Sequence, residues 1–181
     1  MAATVSMIQT ELAHREAIRD CLARCARGLD RCDVELLRGA YWPDATDDHM
    51  EGLFVGNAYE FIDFIVPILK KMDQTQHFLG NMLIDIHGNF ADIETYYQSI
   101  HRVRRSDDAA YDVVVNCRYL DNMELRDDEW RILRRVVVPD WFRIFPDSAD
   151  WSAGFMGVKA EPGGRKPNDR SYQLLAAAFP D

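Results

Sequence analysis

Ala91-Asp92-Ile93-Glu94-Thr95-Tyr96-Tyr97-Gln98-Ser99-Ile100-His101-Arg102-Val103-Arg104 reads as one long β-strand. Ile93, Thr95, Tyr97, Ser99, His101 and Val103 share one phase of its two-residue period; Glu94, Gln98, Arg102 and Arg104 share the other. The first set carries the small and apolar groups, so it faces inward and takes His101 with it. Residues 82–86, 111–125 and 130–144 are strand-like in the same way. Gly88-Asn89, Ser106-Asp107-Asp108 and Arg126-Asp127-Asp128 separate the four runs, as hairpin connections between antiparallel strands require.

The chain upstream has a different period. Ile18, Leu22, Cys25, Ala26 and Leu29 recur at helical spacing and predict a helix over residues 7–29, ending near Asp30 because Gly28 weakens its last turn. Asp33 is a candidate N-cap for a short second helix over 34–41, stopped by Pro43. A strand or hairpin over 45–55 follows, then a helix over 58–72. Phe61, Ile65, Ile68 and Leu69 face inward there, and Pro67 predicts a kink or an early end. Helices first and strands afterwards indicate an α+β fold, with the helices packed on one face of a curved sheet. Residues 1–145 form the expected domain. Residues 146–181, rich in Gly and Pro, read as a tail ending in a short helix over 172–179. That tail could cover a pocket mouth or a neighbouring subunit; the sequence leaves both open.

Composition narrows the function classes. The 181 residues are 48% hydrophobic and 28% charged, with a net charge of −9, so a basic surface for nucleic acid or anionic membrane is not expected. Arg102, Arg104 and Arg105, like Arg131, Arg134 and Arg135, read as solvated strand ends beside acidic residues. No apolar run approaches the roughly 20 residues needed to span a bilayer. Residues 1–6 lack the pattern of a signal peptide, so a cytoplasmic setting is expected, with Cys21, Cys25, Cys32 and Cys117 reduced. No Gly-rich turn follows a strand and no phosphate-site lysine is evident, so no cofactor is expected. Asp47-Asp48-His49 and Glu51 alternate faces if extended, which argues against a metal site.

Three residues stand out for chemistry. Asp30 follows the apolar stripe of the first helix at its C-terminal end, where the macrodipole disfavours a carboxylate, so helix stability does not explain it. Accepting a proton from an imidazole would explain it, because that fixes the tautomer and strengthens the other nitrogen as a base. His77 lies in Thr75-Gln76-His77-Phe78-Leu79-Gly80, just before the first long strand, and His101 points into the same interior. Cys117 and Tyr119 share a phase with Val113, Val115, Asp121 and Met123 and should line the pocket. Tyr41, Trp42, Tyr97 and Phe78 could supply an aromatic wall, with Trp141, Phe142 and Phe145 closing it.

The same residues carry a resemblance. Gly28-Leu29-Asp30-Arg31-Cys32-Asp33-Val34-Glu35-Leu36-Leu37, Thr75-Gln76-His77-Phe78-Leu79-Gly80 and Leu125-Arg126-Asp127-Asp128-Glu129-Trp130-Arg131-Ile132 resemble the scytalone dehydratase-like, SnoaL-like branch of the nuclear transport factor 2 superfamily, over roughly residues 8–145. The resemblance implies an NTF2-like cone enclosing a pocket, with Asp30 and His77 as an acid–base pair and His101 as a second active-site histidine. Leu29 and His49 stand where scytalone dehydratase has water-holding tyrosines, Cys117 and Tyr119 where it has Ser and Asn, and Cys25 where related steroid dehydratases have a tyrosine. With Phe78, Tyr97 and Arg143, these pocket positions make up the substrate-binding candidates. What is implied is a lyase without metal or organic cofactor, a dehydratase acting on a hydroxylated aromatic or polycyclic compound other than scytalone. The same pair would serve a formaldehyde-releasing lyase, a dehydrochlorinase or a ketosteroid-type isomerase. A non-catalytic subunit, like the β subunit of ring-hydroxylating dioxygenases, is the alternative outside enzymes. Assembly as a homotrimer or homodimer is implied as well.

Overall fold

Ile18, Cys21, Leu22, Cys25 and Leu29 are all buried, and they decide which face of the first helix, α1 (Ala2–Arg31), turns inward. A computed structural model of the chain describes residues 2–104, 110–147, 153–154, 156–159 and 162–175. α1 runs 30 residues, longer than the pattern predicts at both ends. Gly28 does not end it. A Cβ there would lie 2.7 Å from Leu37 Cγ, so glycine is what lets the following helix pack close. The chain leaves α1 through Cys32, in a left-handed conformation, and Asp33 N–H closes the turn on Gly28 O at 2.9 Å.

Asp33 caps α2 (Val34–Arg38) as its position predicts, accepting from Leu36 N–H. α2 stops three residues short of the expected end, and Tyr41 opens β1 (Tyr41–Asp48) instead. β1 places Tyr41, Ala45 and Asp47 on its buried side and pairs antiparallel with the short β2 (Val55–Asn57). α3 (Ala58–Leu69), capped by Asn57, keeps Pro67 inside its last turn and buries Phe61, Ile62, Val66 and Leu69. Ile65, expected inward, is only partly buried against the core.

Four long strands follow: β3 (Gln74–His87), β4 (Phe90–Arg104), β5 (Ala110–Arg126) and β6 (Glu129–Pro146). β3 starts eight residues before its strand pattern becomes legible, so His77 sits within a strand rather than ahead of one. The alternation is hidden because the β3–β4 register shifts between Leu79 and Met82. Gly80 lies in that irregularity, where a Cβ would approach Tyr96 O to 3.2 Å. The β5–β6 turn is built on Asp127 and Asp128, both at positive φ, as a tight hairpin demands. Residues 105–109, which include Ser106-Asp107-Asp108, lie outside the described residues, as do 176–181 at the end of the predicted last helix. The described part of that helix is α4 (Arg170–Leu174).

The sheet order is β2-β1-β6-β5-β4-β3, antiparallel except where β1 joins β6 in parallel. This is the NTF2-like cone: N-terminal helices on one face of a curved, unclosed, mostly antiparallel sheet. The main core lies where α1 and α3 cover the sheet, around Ile62, Ile93, Met123 and Ile132. A smaller cluster of Tyr97, Cys117, Tyr119 and Val137 occupies the neighbouring stretch of the same face. No helix among the described residues is long and apolar enough to cross a membrane.

Candidate active site

Asp30 comes from the last turn of α1 and His77 from β3, and the two elements pack together so that the carboxylate clamps the histidine twice. His77 Nδ1 lies 2.8 Å from Asp30 Oδ1, and His77 backbone N–H donates to Oδ2 at 2.9 Å. Both side chains are largely buried, at 8% and 10% exposure, so the contact is shielded from water and salt. A carboxylate can only accept, so the imidazole proton resides on Nδ1. Nε2 is then the nitrogen left to take or give a proton.

His101 enters edge-on to His77, with ring centres 5.7 Å apart. Burial, then the neighbouring His77, push its pKa down to about 4, against a backbone hydrogen bond to Val113. His101 is therefore neutral at pH 7. Tyr97, 6.1 Å from His77, stacks on Tyr119 at 3.9 Å. Burial drives both phenols far above their usual range, so they remain protonated. Burial also raises the Cys117 thiol, which disfavours the thiolate, and its side chain packs with Tyr97, Tyr119 and Val137. The structure thus brings together Asp30, His77, His101, Tyr97, Cys117 and Tyr119.

Below this group lies a buried polar network that the strand pattern does not anticipate. Arg135, read from sequence as a solvated strand end, is 2% exposed. It donates to both oxygens of Asp121 at 2.7 Å and to the Tyr41 hydroxyl at 3.2 Å, and covers the Tyr119 ring at 3.7 Å. Burial works against its charge, but Asp121 and the surrounding acceptors keep the guanidinium protonated. Tyr41 donates to Asp47 Oδ2 at 2.9 Å, and His49 Nδ1 lies 2.7 Å from the other Asp47 oxygen while the His49 ring stacks on Phe61. His49 is thus a member of this network. Leu29 lies in the main core at 4% exposure. Cys25 faces Arg135 at 3.4 Å. Asp48 instead accepts from Met50 N–H, and no group of three or more His, Cys, Asp or Glu among the described residues is placed to hold a metal ion.

A SnoaL-like domain model matches residues 10–136, about seven-tenths of the chain. The chain belongs to the SnoaL-like domain family. No curated protein matches it. Among solved structures it is similar to a candidate scytalone dehydratase from Novosphingobium aromaticivorans, with a TM-score of 0.67 and 16% identity over 89% of this chain and 98% of that one. A type 2 hexachlorocyclohexane dehydrochlorinase (LinA) gives a TM-score of 0.65 and 18% identity over 85% of this chain and 97% of its own. The Kfla4162 protein of Kribbella flavida gives 0.64 and 16% over 71% and 92%. These likenesses concern the fold.

Two substrate-binding candidates lie on the other face of this SnoaL-like domain. Phe78 follows His77 along β3, so strand alternation turns it away, and it is 67% exposed. It still borders, with Asp30, His77 and Arg27, a groove of about 360 Å³ between α1 and β3, and so shares a cavity wall with the pair. Arg143 lies across from Val114 and holds the Trp141 ring at 5.4 Å, on the outer side with Phe145. Phe142 and Ile144 pair with Val115 and Val113, so they share that face of the sheet with Cys117 and Tyr119.

Proposed function

We propose that this protein is a cofactor-independent lyase, a dehydratase that acts on a hydroxylated aromatic or polycyclic small molecule through Asp30 and His77. The double contact from Asp30 to the His77 side chain and backbone supports this reading most. It fixes the ring through Nδ1, so that Nε2 is the nitrogen turned to act as the base, with a buried carboxylate to stabilise the imidazolium that forms. His77 Nε2 removes a proton from carbon beside an electron-withdrawing group. The C–O bond to the leaving hydroxyl then breaks, and His77⁺ returns the proton to it as water departs.

His101 serves this scheme as a second active-site histidine, edge-on to His77 and within reach of the leaving group through a water. With a pKa near 4 it carries no second proton to deliver at pH 7, so protonation of the leaving group falls to His77. Tyr97, Cys117, Tyr119, Val115 and Phe142 offer the apolar and aromatic surface for the substrate. Leu83, Tyr96, Leu120 and Trp141 are exposed on the outer face of the sheet and support assembly as a homodimer or homotrimer.

The test is a mass-spectrometric screen of hydroxylated aromatic and steroid-like compounds with wild type, Asp30→Asn and His77→Ala. A product lighter by about 18 Da, made only by the wild type, is the expected result. Loss of about 30 Da or about 36 Da would replace water with formaldehyde or hydrogen chloride as the leaving molecule, and unchanged mass with a new chromatographic peak would mean isomerisation. Equal turnover by all three proteins would remove the pair from the chemistry.

A further inference from the structure

The segment beyond the family match supplies one side chain that ties together both elements of the dyad. Arg165 Nη1 donates to the backbone carbonyl of Asp30 and to Thr75 Oγ1, the latter at 2.6 Å. Its Nη2 donates to Leu69 O at 3.3 Å and Met72 O at 3.5 Å, where α3 ends. Thr75 precedes His77 by two residues on β3 and is 2% exposed. One guanidinium thus joins the carbonyl-rich ends of two helices to the start of the strand that carries the base.

This answers the puzzle of Asp30. A carboxylate in the last turn of α1 meets unsatisfied carbonyls and the negative end of the helix dipole. Arg165 brings a fixed positive charge and two forks of donors to that end. An ammonium group could not reach four acceptors on three elements in this way.

The segment itself is anchored independently. Arg31 donates to Gly164 O at 2.6 Å and to Asp169, Tyr172 donates to Asp33 at 2.7 Å, and Lys166 N–H donates to Arg31 O at 2.9 Å. Arg165 is thereby presented from a docked loop.

We propose that Arg165 is a positioning residue for the Asp30–His77 pair, holding the end of α1 and the start of β3 at the separation that lets Asp30 take both His77 N–H groups. This deepens the acid–base reading and rests on it. Its loss loosens the hydrogen bond between the pair while the rest of the domain stays folded.

The experiment is NMR of the full chain without substrate. It follows the His77 Nδ1–H resonance, assigned by its absence in His77→Ala. In wild type we expect a downfield, slowly exchanging signal. In Arg165→Lys and Arg165→Gln we expect the signal to broaden away or exchange at least tenfold faster, with amide spectra still those of a folded protein. Tyr172→Phe, which weakens the anchoring of the segment but leaves the Arg165 contacts in place, should lower thermal stability and keep the signal. A resonance exchanging at the wild-type rate in either folded Arg165 variant would overturn the proposal alone. Absence of the resonance in wild type would overturn the dyad itself, and the role of Arg165 with it.

Discussion

Asp30 was legible from its place in the helix, but its pairing with His77 came from the resemblance carried by residues 28–37 and 75–80. The carboxylate stands at the wrong end of a helix, and the histidine lies in a short polar stretch beside apolar residues. Arg135 was not legible. Counting alternate residues along β6 from Ile132 places position 135 outward, but a register shift between Asn122 and Met123 turns it inward. The one available signal was Asp121, whose inward phase required a buried cation. Asp30→Asn tests how the clamp works. An amide offers one acceptor where His77 needs two, so turnover of a substrate found in the screen should fall about a hundredfold or more while the fold persists. Circular dichroism alongside initial rates would check both halves. Arg135→Met should cost about 3–5 kcal/mol, because Asp121 is left as an uncompensated buried charge. Arg135→Met with Asp121→Leu should recover much of that loss in urea unfolding.

Elements were easier to read than their joints. The four strands, and the two described turns at Gly88-Asn89 and Asp127-Asp128, follow from alternation and from those residue pairs. The parallel β1–β6 contact, the early start of β3 and the full length of α1 do not, since each depends on partners distant in sequence. Gly28 shows the difference well. From propensity it weakens a helix; in the fold it admits Leu37. Gly28→Val should therefore destabilise by about 1–3 kcal/mol through overpacking, despite valine's better helix propensity. Thermal unfolding of this variant beside Leu37→Ala/Gly28→Val, where room is restored, separates packing from propensity. A single variant with wild-type stability would show that the approach of α2 to α1 is not tight.

At the scale of the whole molecule, burial of neutral His101 links folding to pH. Its folded pKa of about 4 lies below the ordinary value of 6.5, so the unfolded chain takes up the proton first as pH falls. The contribution is complete above pH 6.5 and is lost progressively between 6.5 and 4, amounting to about 3 kcal/mol. His101→Leu should flatten the stability profile in that window, as urea titrations at pH 7, 5.5 and 4 would reveal. Helices preceding strands anticipated an α+β fold with the helices on one face of a curved sheet, and the resemblance supplied the cone. The docking of residues 162–175 was not anticipated, because it runs through single polar contacts that leave no periodic trace in the sequence.

The most direct test of the account is the rate of His77→Ala on the first compound that the wild type transforms, measured as kcat/KM at pH 7. Base catalysis by Nε2 predicts a loss of about 10² to 10⁴-fold with the domain still folded. A rate within twofold of wild type would contradict it and place the chemistry elsewhere in the molecule.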